Sequence, residues 1–285
     1  MISVVIPAYN AAATIGSQLE ALHSQSCEGP REVIVADNGS TDGTVAVVES
    51  WRDRIPALRV VDASARRGAA AARNIGAAAA TGELLAFCDA DDTVAPGWLD
   101  ACAAALREHS FIAGAMDHDS MNPGAAVRWH VHSHVSAAPQ ALRFKPYALS
   151  SNMAVRRAAF EEVGGFPEDL GAAGEDVAIS WELQLAGHDL HFAADAVVAY
   201  RHRAALGDLW RQYRAYGYAD PVLYARYRSY GVPRLGALRA LRAYLLLLVR
   251  LPRLLRAETR GSWVAEAAKR WGRMVGSMRQ RVLYL

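Results

Sequence analysis

The sequence predicts an α/β protein, with a mostly parallel sheet flanked by helices and a basic helical extension after it. Three observations carry this. Short apolar runs at 3–6, 32–36, 58–61 and 84–88 alternate with segments of helical period. That β-α-β-α-β-α-β order argues for parallel strands with helices on both faces. Each run also ends in turn or cap residues, as Asp37 to Thr44 do after the second run. Finally, charge divides along the chain. Residues 1–200 hold 13 basic and 25 acidic side chains, and residues 201–285 hold 18 and 4. The expected division is therefore 1–205 for the α/β domain and 206–285 for the extension.

The elements follow in order. Ser3-Val4-Val5-Ile6 is a strand ended by Pro7-Ala8-Tyr9-Asn10. Ile15, Leu19 and Leu22 recur at helical spacing, with Asn10 as the expected cap. Glu32 to Ala36 is the second strand, and Val45, Val48 and Trp51 begin the next helix face. Leu58 to Val61 is the third strand, and Gly68 to Ala80 is an alanine-rich helix. Leu84 to Cys88 is the fourth strand. A helix is expected around 97–107, then an apolar run at 111–115 and a loop at 117–126. Val127 to Val135 alternates and is expected as a strand. Ser151 to Val155 is another. After the glycine-rich stretch 164–174, Glu175-Asp176 opens a helix carrying Ile179, Leu183 and Leu185. Val197 to Tyr200 is the last expected strand.

Composition bounds the classes. Apolar residues make up 52% of 285, enough for a sizeable core. Cys27, Cys88 and Cys102 show no C-x-x-C spacing, so free thiols in a reducing, cytoplasmic setting are expected. The first residues run straight into a strand, so no signal peptide is expected. No G-x-G-x-x-G follows the first strand, which argues against a dinucleotide-binding dehydrogenase.

Chemistry concentrates at Asp89, Asp91 and Asp92, which follow an apolar strand. Open α/β sheets bind ligands at strand carboxyl ends. Three adjacent carboxylates repel one another unless a cation is present. Mg²⁺ and Mn²⁺ take oxygen ligands, often one or two carboxylates plus phosphate oxygens. A metal-diphosphate site is the reading. The alternative is that Asp92 or Thr93 caps the helix that Pro96 opens. Asp37 ends the second strand and faces the same crevice, or else bonds its own turn. Arg73, among alanines, can grip phosphate or carboxylate, or be a solvated helix charge. Glu175-Asp176 is a second acidic pair, suited to proton abstraction or to a helix N-terminus. His130, His132 and His134 share a strand face without a carboxylate or cysteine partner, and read as polar surface rather than zinc ligands.

Ile6 to Asn10, Asp37 to Thr44, Arg73-Asn74-Ile75-Gly76, Asp89-Ala90-Asp91-Asp92, Gly164-Gly165-Phe166, Gly174-Glu175-Asp176 and His202 stand in the order of a family 2 glycosyltransferase. The chain resembles that family over about residues 1–205. The resemblance implies a GT-A fold, a nucleotide-diphosphate-sugar donor (UDP first), Mn²⁺ or Mg²⁺, and inversion at the anomeric carbon. It implies that Pro7, Ala8, Tyr9 and Asp37 hold the base, and that Arg73, Asp89 and Ala90 meet the ribose and diphosphate. Asp91, with Asp89 and His202, would hold the metal. Asp176 would be the catalytic base and Glu175 its companion. Glu182 stands near where the family usually carries an arginine, a departure that bears on the acceptor.

The extension is helical and rich in leucine and arginine. Its longest charge-free leucine run, Ala243 to Val249, is far short of the roughly 20 residues a spanning helix needs. Two readings stand: contact with a membrane surface at the inner face of the cell membrane, or packing on the domain or a second subunit of a homodimer. Leucine rather than aromatics between the arginines argues against nucleic acid. The acceptor is expected to be lipid-linked or cell-envelope glycan, or else a small molecule. The rival class is a catalytically silent nucleotide-sugar-binding or membrane-associated scaffold.

Overall fold

The computed structural model describes residues 1–26, 29, 31–122, 129 and 137–284. The expected strand at Val127 to Val135, with His130, His132 and His134, lies outside the described residues except for Trp129, and so does Cys27. Elements run β1 (Ile2–Ala8), α1 (Ile15–His23), β2 (Arg31–Asp37), α2 (Thr44–Glu49), β3 (Leu58–Asp62), α3 (Ala69–Ala79) and β4 (Leu84–Cys88). Then come β5 (Thr93–Val94), α4 (Trp98–Glu108), β6 (Phe111–Asp117), β7 (Gln140–Ala141), β8 (Lys145–Pro146), β9 (Asn152–Arg156), α5 (Arg157–Glu162), α6 (Glu175–Leu185) and β10 (Leu190–Ala199). The remainder is helical: α7 (Leu206–Tyr227), α8 (Ala237–Val249) and α9 (Ala257–Arg279), with short 3-10 turns at Arg228–Tyr230 and Leu251–Leu255.

The main sheet has the order β3-β2-β1-β4-β9-β6-β10-β5. The first four strands are mutually parallel. β9 runs antiparallel between β4 and β6, and β10 returns parallel to β6. Side chains alternate across the sheet, as strand geometry requires. Val4, Ile6, Val33, Val35 and Ala86 pack under Ile15, Leu19 and Trp98. Val5, Ile34, Leu85 and Phe87 face the other way, against Ala70, Phe160, Phe166 and Ile179. Both faces are covered, so the near-continuous apolar strands are explained.

Three expectations need correction. Asn10 does not cap α1. It sits in the left-handed region (φ 50°), and Thr14 is the N-cap residue, with no side-chain cap bond. Asn10 instead accepts the Thr41 N–H and donates its own N–H to Ser40 Oγ, tying the end of β1 to the loop after β2. Asp92 does not cap α4, whose N-cap is Gly97. β10 starts seven residues before the expected Val197, and a bulge between Ala193 and Val197 breaks the alternation there.

α6, α7 and the β7–β8 hairpin share a third core around Trp181, Leu223 and Tyr227. α7 and α9 lie in close contact because Gly217 and Gly272 have no side chains. A methyl at Gly217 would run into the Lys269 carbonyl, and one at Gly272 into the Arg214 carbonyl. This arrangement brings α9 to the mouth of the crevice beside α6.

Candidate active site

The site is built at the carboxyl ends of β1, β2 and β4. β4 carries buried Phe87 and Cys88 up to Asp89, and the chain then turns, with the Asp92 N–H donating to the Asp89 carbonyl. Gln18 fixes that turn from α1. Its amide donates to the Asp89 carbonyl and accepts the Val94 N–H. One carboxylate oxygen from each of Asp89, Asp91 and Asp92 lies within 4.8 Å of the other two.

The three carboxylates have different surroundings. Asp89 Oδ1 accepts Arg73 Nη2 at 2.6 Å. Asp91 Oδ2 accepts Arg203 Nη1 at 2.7 Å. Asp92 is buried. Its Oδ1 accepts the Arg201 N–H, and its Oδ2 has no hydrogen-bond partner. Burial, then the charges of Asp89 and Asp91, push its carboxyl up to about 9. An orphaned buried oxygen beside two further carboxylates fits a hard divalent cation. His202 does not fall within this cluster. Its ring stacks on His118 and meets Tyr200 edge-on, and its backbone N–H donates to Asn122 Oδ1.

Arg73 is 3% exposed and joins the two acidic groups. Nη2 holds Asp89, and Nη1 holds Glu175 Oε1 at 3.1 Å. Its guanidinium also lies 5.6 Å from the Phe166 ring centre. Glu175 and Asp176 form the first turn of α6, after Gly174 in the left-handed region. The Asp176 Oδ1 accepts the Val177 N–H. Burial, then the Glu175 charge, push the Asp176 carboxyl up to about 7, although Arg73 pulls it down.

Two cavities meet here. One of about 550 Å³ is lined by Pro7, Ala8, Tyr9, Asn38, Ala90 and Asp91, among others. The other, of about 920 Å³, is lined by Glu175, Asp176, Tyr147, His202, Lys269 and Arg273, among others. Ala69, Arg73, Asp89 and Arg203 line both. Asp37, expected in the first cavity, is not among its lining residues. Both its carboxylate oxygens face the Ser40 N–H, as in the turn alternative.

Sequence reasoning singled out neither Gln18, Asn38, Arg201 nor Arg203. Gln18 had a signal, since it is a polar residue on the stripe of Ile15, Leu19 and Leu22. Asn38 bonds Ala63, Arg66 and Gly68 across 25 or more residues, which no local pattern shows. At Glu182 the partners come from α7. Tyr227 donates to it at 2.5 Å, and Arg226 lies 3.4 Å away.

Residues 3–164 match Glycosyl transferase family 2, and residues 84–265 match Glycosyl transferase family group 2. Glycosyltransferase AglE of Haloferax volcanii is 30% identical over 216 residues, 75% of this chain and 71% of that protein. The pre-mycofactocin glycosyltransferase of Mycobacterium tuberculosis is 30% identical over 257 residues, 86% of this chain and 52% of its own length. Among solved structures, mannosyltransferase PcManGT from Pyrobaculum calidifontis, in complex with GDP-Man and Mn²⁺, superposes with a TM-score of 0.62. It is 23% identical, and the match covers 94% of this chain and 86% of that one.

Proposed function

The chain belongs to glycosyl transferase family 2, a family of inverting nucleotide-sugar glycosyltransferases, and from that premise we propose how its two cavities divide the reaction. The donor occupies the 550 Å³ cavity, with its base against Pro7, Ala8 and Tyr9. Asp37, whose carboxylate accepts the Ser40 N–H, would have to turn from that bond to meet the base. UDP-sugar is the first candidate. The GDP-Man of the superposed mannosyltransferase makes a guanosine donor the second. The acceptor occupies the 920 Å³ cavity. The observation that carries this is Arg73, which bonds Asp89 on one side and Glu175 on the other.

Asp89, Asp91 and Asp92 would hold a divalent cation, Mn²⁺ or Mg²⁺, and His202, the further expected ligand, lines the adjoining cavity. When bound, such a cation neutralises charge on a departing diphosphate. Ala90 lies between two of its ligands and lines the donor cavity. Arg73 holds Asp89 in place and adds positive charge beside the leaving group. Asp176 takes the proton of the acceptor hydroxyl. The acceptor oxygen bonds to the anomeric carbon, the bond to the diphosphate breaks, and the nucleoside diphosphate leaves with its electron pair. Glu175 anchors Arg73 and keeps the Asp176 carboxyl raised toward neutral pH.

The acceptor proposed is a lipid-linked or cell-envelope glycan. The cavity mixes Tyr147, Tyr213 and Tyr216 with charges of both signs, and Asp220 already pairs with Lys269 and Arg273, a lining that suits a hydroxyl-rich sugar. The test is release of nucleoside diphosphate from a panel of UDP- and GDP-sugars with Mn²⁺ and envelope lipid extract. Wild type should release it, and Asp176→Asn should lose release while still binding donor. Normal release by Asp176→Asn would overturn the assignment of the base.

A further inference from the structure

α8 presents its apolar face to solvent. Leu238, Leu241, Leu245 and Leu248 recur at spacings of three and four and are 84%, 57%, 53% and 65% exposed. Val249, Leu251 and Leu255 continue the patch, the last also 84% exposed. The opposite side of the helix is already engaged. Ala240 is buried, the Tyr244 hydroxyl donates to the Arg270 carbonyl, and Trp263 Nε1 donates to the Leu247 carbonyl. The helix is therefore docked through one face on α9 and leaves a continuous leucine stripe uncovered. Single exposed leucines are ordinary, but a contiguous stripe is not.

The charge around the stripe selects what covers it. From Pro221 to Ala257 the chain carries eight arginines and no carboxylate. Arg242 and Arg256 are exposed beside the leucines, and Arg253 is half-buried. A second copy apposed on this face would bring arginine toward arginine, and of the neighbouring acids Glu266 already pairs with Arg250 of its own chain. Among the described residues no helix is long and apolar enough to cross a membrane. A leucine face flanked by arginines, on a helix too short to span, has the form of one lying in a bilayer interface.

We propose that α8 and the turn at Leu251–Leu255 dock the protein flat on an anionic lipid surface, leucines among the acyl chains and arginines at the headgroups. Leu235, two residues before α8, lines the 920 Å³ cavity together with Lys269 and Arg273 of α9. Docking thus sets the mouth of that cavity beside the bilayer. If the proposed acceptor side is right, a lipid-linked acceptor reaches Asp176 without leaving its membrane. The docking itself does not depend on that reading.

The test is co-sedimentation of the full chain with phosphatidylcholine vesicles, with and without phosphatidylglycerol, at low and high salt. Wild type should sediment with the phosphatidylglycerol vesicles, and binding should fall about tenfold or more as salt rises, since salt screens the arginines from the anionic surface. Leu241→Glu combined with Leu245→Glu should abolish sedimentation. Arg242→Glu combined with Arg256→Glu, which leaves the stripe intact, should weaken it and remove the lipid preference. Circular dichroism and nucleoside-diphosphate binding, unchanged in both, exclude unfolding and leave the donor reading separately testable. Equal sedimentation of wild type and both variants would overturn the proposal. So would a dimer in light scattering that the leucine substitutions dissolve, since a second copy would then cover the stripe.

Discussion

Nη1 of Arg203 lies 2.7 Å from Oδ2 of Asp91, so a guanidinium sits on a carboxylate of the proposed cation cluster. The same loop supplies the Arg201 N–H to Asp92 and the Arg201 Nε–H to the Asp91 carbonyl. The segment after β10 therefore acts as the counter-ion of the cluster.

A cation entering the cluster must compete with Arg203. Arg203→Ala should tighten Mn²⁺ binding to the nucleotide-free protein by about fivefold, taking about 1 kcal/mol for a half-exposed pair. Nucleoside-diphosphate binding should weaken in the same variant, because Arg203 lines the donor cavity. Electron paramagnetic resonance of free Mn²⁺ reads the first quantity and calorimetry the second. Unchanged Mn²⁺ affinity would mean that the pair does not gate the cluster.

Arg73 is the most constrained charge in the site. Removing it in Arg73→Ala leaves Asp89 and Glu175 facing each other without compensation, which should cost about 3–5 kcal/mol in denaturant unfolding. Arg73→Lys keeps the charge but loses the fork that reaches both acids, so it should fall between Ala and wild type. A loss under about 1 kcal/mol in Arg73→Ala would show the pairings to be incidental.

Asp176 gives a prediction with a definite sign. A base acts deprotonated, so transfer should rise with pH and level off above about 7. Stability should move the other way. A carboxyl raised above its unfolded value of 3.8 contributes fully below about pH 4 and loses that contribution as pH rises through about 7. Asp176→Asn should then melt higher than wild type at pH 8, by roughly 2–4 °C for each kcal/mol relieved. It should also lose at least about 10²-fold in transfer. A variant that melts lower at pH 8 would contradict the raised carboxyl.

The parallel half of the sheet and the acidic end of β4 were legible because each signal is local: an apolar run, then a break. The direction of β9 was not, since a five-residue strand with three apolar residues, Met153 to Val155, reads alike in either orientation and only its partners β4 and β6 fix it. Asp37 was legible as a strand end, but not its turn toward Ser40, which depends on the loop closing back. Glu182 looked like a missing ion pair because its partners, Arg226 and Tyr227, lie more than 40 residues away on α7. Glu175 and Arg73 were each visible, but their contact spans 102 residues and needed the fold.

The most direct test of the account is thermal unfolding of the protein with UDP, GDP, CDP and dTDP, each with and without Mn²⁺. A ligand that binds only the native state raises its melting temperature in proportion to the logarithm of concentration over Kd. One nucleoside diphosphate should stabilise the protein, requiring Mn²⁺, and the effect should be lost in Asp91→Ala. No shift with any of the four, or a shift unchanged in Asp91→Ala, would contradict a metal-assisted donor site at Asp89, Asp91 and Asp92.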